Sequence, residues 1–176
     1  MKTKIQILVC FLITFISNAQ KNTITDFFKD CNNYSVEDSI SLYDQYTDFT
    51  LKLPKYWTGK FRGDLNSLLA QKTSDSSFIK LEGYSAYDVQ NNNNELQKKN
   101  PNFLDTIYIA SQEIVIISHP KTKFKNKLLH KYEFHCKIEN TPWIRKFYLV
   151  ANKEPNKKNI CEIRHIIKQY MQKFKS

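Results

Sequence analysis

Apolar positions along this chain recur at helical spacing near its two ends and alternate with polar ones between them. Ile24, Phe27, Phe28 and Cys31 recur three and four apart, which predicts a short helix. Ser35, with Asp38 three residues on, predicts a capped second helix carrying Val36, Ile40 and Tyr43. Phe49 to Leu53 then alternates strictly until Pro54, a first strand, and Trp57 and Gly59 mark a turn. Asp64 to Ala70 reads as a short helix bearing Leu65, Leu68 and Leu69, and Phe78 to Tyr84 as another strand. Asp88 to Asn100 is polar and reads as a surface helix capped by Asp88 and ended before Pro101.

Beyond Pro101 the pattern turns to strand. Thr106 to Ser111 and Glu113 to Ser118 are rich in Ile and Val and predict two strands or one long bent strand. His130 to Ile138 alternates cleanly, Asn140-Thr141-Pro142 makes a turn, and Trp143 to Ala151 returns as its hairpin partner. Ile160, Ile163, Ile166, Ile167, Tyr170, Met171 and Phe174 then form a full apolar stripe along a final helix. Such a stripe must be buried, and the apolar face of an antiparallel sheet is the nearest candidate. The expected class is α+β: a central antiparallel sheet flanked by helices, with the long amphipathic C-terminal helix packed on it.

The first twenty residues carry an address. Lys2 and Lys4 precede the apolar run Ile5 to Ile16, and Ser17-Asn18-Ala19 offers a small-x-small cleavage site before Gln20. This is the pattern of a secretory signal peptide, residues 1–19, and it predicts a periplasmic or secreted protein. Cys10 raises a lipid anchor, but Ile7-Leu8-Val9 before it lacks the small residue that lipid attachment requires, so cleavage after Ala19 is favoured. No later stretch approaches the roughly 18 uninterrupted apolar residues of a membrane helix, so the exported chain is not expected to be transmembrane. Residues 20–176 are expected to form one domain, beginning with a short helical segment over residues 20–46.

Charge narrows the partners. The formal net charge is +10, and removal of Lys2 and Lys4 with the leader leaves +8. Residues 95–176 hold 17 Lys or Arg against 7 Asp or Glu, whereas residues 20–94 hold 8 against 10, so the second half is the basic one. Nucleic acid is disfavoured as a partner by export and by the presence of only three arginines, Arg62, Arg145 and Arg164. An unknown protein or an anionic envelope component remains, the latter an acidic glycan, lipopolysaccharide or membrane surface. Lys121, Lys123, Lys125 and Lys127 alternate with Thr122, Phe124 and Asn126. If extended, this segment throws four ammonium groups to one side about 6.6 Å apart, a comb suited to a polyanion. Lysines that protect an open strand edge from aggregation give the same pattern.

Without the leader three cysteines remain. Cys136 lies among Tyr132, Phe134 and Ile138 on one strand face and reads as a buried small hydrophobe, which leaves Cys31 and Cys161 as the candidate disulfide. No Cys-x-x-Cys, His-x-x-x-His or carboxylate cluster stands at metal spacing, and no glycine-rich turn opens a helix to cradle phosphate, so no metal, cofactor or catalytic residues are assigned. His119, His130, His135 and His165 each have an ordinary explanation: His135 on the strand face of Glu133 and Lys137, hence toward solvent; His119 in a turn before Pro120; His165 beside the helix stripe. Asp26, Asp30, Glu37, Asp38, Asp44 and Asp48 read as the solvated face of the N-terminal helices rather than as an acid pair for glycoside cleavage.

Phe49-Thr50-Leu51-Lys52-Leu53-Pro54-Lys55-Tyr56-Trp57 resembles the opening of PsbP-like domains, in which an alternating strand ends in proline and is followed shortly by tryptophan. The hairpin of His130 to Ala151 and the helix of Ile160 to Phe174 occupy the places of that fold's late strands and closing helix, so the resemblance spans residues 47–175. It implies a central antiparallel sheet flanked by helices and an envelope-associated, non-catalytic role, and supplies no catalytic residues. The expected function is therefore an exported, non-enzymatic binding or adaptor protein of the bacterial envelope. A small secreted hydrolase, or a basic module that binds an anionic glycan or membrane surface, is the alternative.

Overall fold

The computed structural model describes residues 23–45, 47–63, 67–74, 77–87, 98–109, 112–138 and 143–172. The expected leader, nearly all of the expected helix at Asp88 to Asn100, and the Asn140-Thr141-Pro142 turn lie outside these residues. Strands β1 (Ser39–Asp44) and β2 (Phe49–Pro54) form a two-stranded antiparallel sheet. Among the described residues seven further strands come after them: β3 (Trp57–Arg62), β4 (Ser67–Ser74), β5 (Ser77–Tyr87), β6 (Phe103–Ile109), β7 (Gln112–Phe124), β8 (Lys127–Lys137) and β9 (Trp143–Ala151). They make one antiparallel sheet in the order β3-β4-β5-β9-β8-β7-β6. Helix α1 (Thr23–Asp30) runs into a 3₁₀ turn at Cys31–Asn33, and helix α2 (Lys157–Gln172) closes the fold.

Alternation along the strands gives the large sheet one apolar face. Leu68 and Ala70 of β4, Leu81 of β5, Phe147 and Leu149 of β9, Phe134 and Cys136 of β8, and Ile114 and Ile116 of β7 are buried in a single cluster. The stripe of α2 joins that cluster through Ile160, Ile163, Ile166, Ile167, Tyr170 and Met171, with the Tyr170 ring edge-on to Phe147 at 5.5 Å. Helix α1 adds Ile24 and Phe28, and the Phe28 ring lies 5.2 Å from that of Phe134. Leu51 and Leu53 of β2 complete the layer, so a β-hairpin shares it with the two helices. The architecture is thus mostly antiparallel strand, and among the described residues both helices join one core.

Several local expectations change. The segment of the expected second helix, Ser35 to Tyr43, holds strand β1, because Ser39, Ile40, Ser41 and Tyr43 have no strong helix preference and β2 offers a complete ladder, with Leu42 opposite Leu51. Trp57 and Gly59 belong to strand β3, and the turn is at Lys55-Tyr56. Gly59 is needed there for proximity: a Cβ would stand 2.9 Å from the Leu69 carbonyl oxygen and 3.0 Å from Leu53 Cδ1. The expected helix at Asp64 to Ala70 is strand β4 from Ser67 onward, since β3 and β5 supply ladder partners on both sides.

Tertiary bonds lock α2 in place. Asn156 caps it, its Oδ1 accepting from the Asn159 backbone N–H at 2.9 Å. Gln169 pairs with the backbone of β2 as a strand would: its Nε2 donates to the Lys52 carbonyl at 2.8 Å and its Oε1 accepts from the Lys52 N–H at 3.0 Å. Glu162, 3% exposed, accepts from Trp57 Nε1 at 2.9 Å and pairs with Lys72 at 2.7 Å.

Candidate functional site

Strands β7 and β8 outrun their neighbours. Strand β9 ends at Ala151, opposite His130, and β6 begins at Phe103, opposite Ile117, so among the described residues only two strands continue beyond His119 and His130. The result is a two-stranded ribbon about 15 Å long at 3.3 Å per residue. A register shift between His119 and Thr122 forms its root. At its tip Lys125 and Asn126 have φ of 45° and 62°, the left-handed pair of a two-residue loop whose twist matches the strands.

This ribbon carries the four lysines singled out in the sequence, although not as a comb on one side. Lys121 and Lys123 lie on β7, Lys125 in the loop and Lys127 on β8. Lys127 is paired with Phe124 and Lys123 with Leu128, and paired residues share a face, so ammonium groups stand on both faces. The tight loop breaks the extended run and is the physical reason for the change. Residues 120–128 are all exposed. No acidic residue occurs between His119 and Tyr132, and no carboxylate among the described residues pairs with any of the four. Two apolar side chains are exposed among them, Phe124 at 60% and Leu128 at 41%, and the Lys125 ammonium sits 5.6 Å from the Phe124 ring centre.

Below the root, on the sheet face opposite α2, lies a polar cluster. Glu133 of β8 holds His119 Nε2 at 2.7 Å through one carboxylate oxygen and His135 Nε2 at 2.8 Å through the other. His135 is only 7% exposed, contrary to its expected solvent position: β8 is an interior strand, and Val115 and Lys146 flank His135 on the two neighbouring strands. Burial holds the imidazole below its ordinary pKa despite the opposing pull of Glu133. It is therefore neutral near pH 7, donating from Nε2, with its buried Nδ1 unpartnered among the described residues. Tyr148, across from Glu133, is raised by burial first and also by the Glu133 charge, and its hydroxyl accepts from Tyr84 at 3.1 Å. The Tyr84 and Tyr148 rings stack at 5.7 Å.

A cleft of about 220 Å³ beside Tyr84 is lined by Arg62, Ser67, Leu69 and Glu82 among others, and no histidine lines it. The cluster of Glu133 thus orients two imidazoles without presenting either to a nucleophile in that cleft, and its carboxylate oxygens are both occupied. Its three residues form no metal-holding group among the described residues.

The other residues noted in the sequence are dispersed. Cys31 and Cys161 are brought together in a disulfide with Cα atoms 5.2 Å apart, tying the end of α1 to α2 across 130 residues. Cys136 is a free thiol buried in the core, its pKa pushed up by burial. His130 sits buried at the ribbon root, held low by burial and then by Lys121, and His165 lies against Tyr34 and is lowered by burial and then by Lys168. The acidic residues expected along N-terminal helices are split: Asp26 and Asp30 lie on α1, Glu37 and Asp38 before β1, and Asp44 and Asp48 around the β1–β2 turn. Asp30 pairs with Lys157 and Asp38 with Lys55. Glu133 and Tyr148 were not marked by sequence; the one available signal was the charged residue flanked by His119 and His135 at a position that alternation directs away from the core.

No family model matches the chain, and no curated protein does. Among solved structures it is similar to a protein of Bacteroides thetaiotaomicron VPI-5482, with a TM-score of 0.49 and 11% identity over 68% of this chain. That match spans 43% of the other chain, less than half its length. It is also similar to LpqN, a protein involved in cell envelope biogenesis of Mycobacterium tuberculosis, with a TM-score of 0.39 and 13% identity over 75% of this chain and 85% of that one.

Proposed function

We propose that the chain is an exported, non-enzymatic binding or adaptor protein of the bacterial envelope, and that the β7–β8 ribbon is the element that contacts an anionic envelope component. The observation that carries this reading is the ribbon itself: Lys121, Lys123, Lys125 and Lys127 stand together, exposed and without carboxylate partners among the described residues, on a projection that adds no apolar core. A two-stranded ribbon with no core of its own contributes little stability, so its length is accounted for by contact rather than by folding. The Cys31–Cys161 disulfide supports an oxidising compartment, as does the signal-peptide pattern of residues 1–19. The PsbP-like pattern of Phe49 to Trp57, with β2 ending at Pro54, is a further support for an envelope role without catalysis.

Fractionation of an expressing bacterium tests export, with the recovered protein expected to begin at Gln20. Retention on heparin across a salt gradient tests the ribbon. Exposed ammonium groups act through a Debye length of about 8 Å at physiological ionic strength, so retention is expected to be salt-sensitive. Replacement of the four lysines by glutamine is expected to bring elution to markedly lower salt, and an unchanged elution point with the fold intact refutes the ribbon's role.

A further inference from the structure

We propose that the ribbon tip is a membrane-docking element that inserts Phe124 and Leu128 into the interface of an anionic lipid bilayer while Lys121, Lys123, Lys125 and Lys127 meet the headgroups. This rests on the anion-contact reading above and names its partner. A soluble polyanion needs only the lysines; it gives no reason for a phenyl ring and an isobutyl group held in water beside the loop of the ribbon. Phe124 is the last residue of β7 and Leu128 the second of β8, so both stand within a residue or two of the Lys125-Asn126 loop. Cross-strand pairing places Phe124 beside Lys127 on one face and Leu128 beside Lys123 on the other.

Apolar side chains interleaved with cations suit a bilayer interface, the ring and aliphatic branch at the acyl boundary and the ammonium groups at the phosphates. The long lysine stems let the charges stay in the headgroup layer while the ribbon enters. The two-residue loop fixes this arrangement before contact, which reduces the ordering cost on binding. Acidic residues are absent from the stretch between His119 and Tyr132, so nothing on the ribbon is repelled by anionic lipid.

The experiment uses the exported protein and vesicles of phosphatidylcholine with or without phosphatidylglycerol, with heparin as the polyanion control. Binding is expected to the anionic vesicles and to be weak on pure phosphatidylcholine. Phe124→Ser with Leu128→Ser is expected to lower vesicle partitioning about tenfold to a hundredfold and to leave heparin elution unchanged. Each Lys→Gln change is expected to lower vesicle partitioning by about fivefold, and the set of four to weaken heparin retention as well. Phe124→Trp, read by fluorescence, is expected to shift to the blue on anionic vesicles and to be quenched by brominated acyl chains. Both apolar positions are exposed, so unchanged circular dichroism and Tm serve as the folding control. Lysine-dependent heparin retention without vesicle binding overturns membrane docking and leaves the anion-contact reading standing, with a glycan as the partner. Vesicle binding that the serine variant leaves unaltered overturns insertion. Loss of neither ligand in the lysine variant overturns both readings.

Discussion

Replacing Glu162 with leucine removes a carboxylate that serves the buried Trp57 and the partly exposed Lys72, and its cost depends on what each partner can do afterwards. Trp57 is fully buried and its Nε1 donates to Glu162 at 2.9 Å; with leucine in place that N–H has lost its acceptor. An unsatisfied buried donor costs about 1–3 kcal/mol. Lys72, bonded to both oxygens at 2.7 Å and 3.1 Å, keeps 21% of its side chain exposed and can turn to water, so its loss is discounted to at most about 1 kcal/mol. The expected total is about 1–4 kcal/mol, a fall in Tm of about 2–16 °C for a domain of this size. In a Trp57→Phe background the donor is already gone, so Glu162→Leu should then cost no more than the lysine part, about 1 kcal/mol. Urea unfolding followed by far-ultraviolet circular dichroism, with the disulfide kept oxidised in all four proteins, measures the cycle. A Glu162→Leu effect below about 0.5 kcal/mol, or equal effects in both backgrounds, refutes the claim that the Trp57 bond is the larger part.

Three further outcomes are expected. His130, His135 and His165 are all held below the ordinary histidine value of 6.5 by burial, so the unfolded chain binds more protons than the native one just below that pH. Stability should therefore be full above pH 6.5 and fall as pH drops below it, by at most about 1.4 kcal/mol per pH unit for each histidine, and His135→Gln should flatten the slope in urea titrations at pH 5 to 7. Gly83→Ala places a Cβ 2.7 Å and 2.8 Å from two ring carbons of the fully buried Phe147, an overlap expected to cost about 1–3 kcal/mol, and Phe147→Leu in the same chain should recover part of it if the ring is the obstacle. Alkylation of the exported, unfolded protein without reductant should add one label, at Cys136, by intact mass; breaking the bridge with Cys31→Ala and Cys161→Ala should lower stability by up to about 4–5 kcal/mol, because a very long loop is no longer closed in the unfolded chain.

Alternation by itself determined which segments bury a face. Phe49 to Leu53, Phe78 to Tyr84, His130 to Lys137 and Trp143 to Ala151 are strands because period-two patterning leaves no other regular solution, Glu113 to Ser118 is one through its run of Ile and Val, and the stripe of Ile160 to Met171 specifies a helix at period 3.6. Ser35 to Tyr43 and Asp64 to Ala70 have weak or mixed local preference, and there the ladder partners offered by β2, β3 and β5 decide, which only the assembled sheet supplies. The same division holds for the candidate site. The lysines of residues 121–127 and their lack of nearby acids are properties of the sequence, whereas the projection of the ribbon depends on β6 and β9 stopping short of it. Glu133 reaches His135 two residues along its own strand and His119 across the β7–β8 register, and Glu162 is buried on a helix face because Trp57, 105 residues earlier, lends it a donor. Local pattern fixes where apolar surface must go; the pairing of distant polar groups is settled by register and burial, for which a lone carboxylate in a one-dimensional pattern carries no signal.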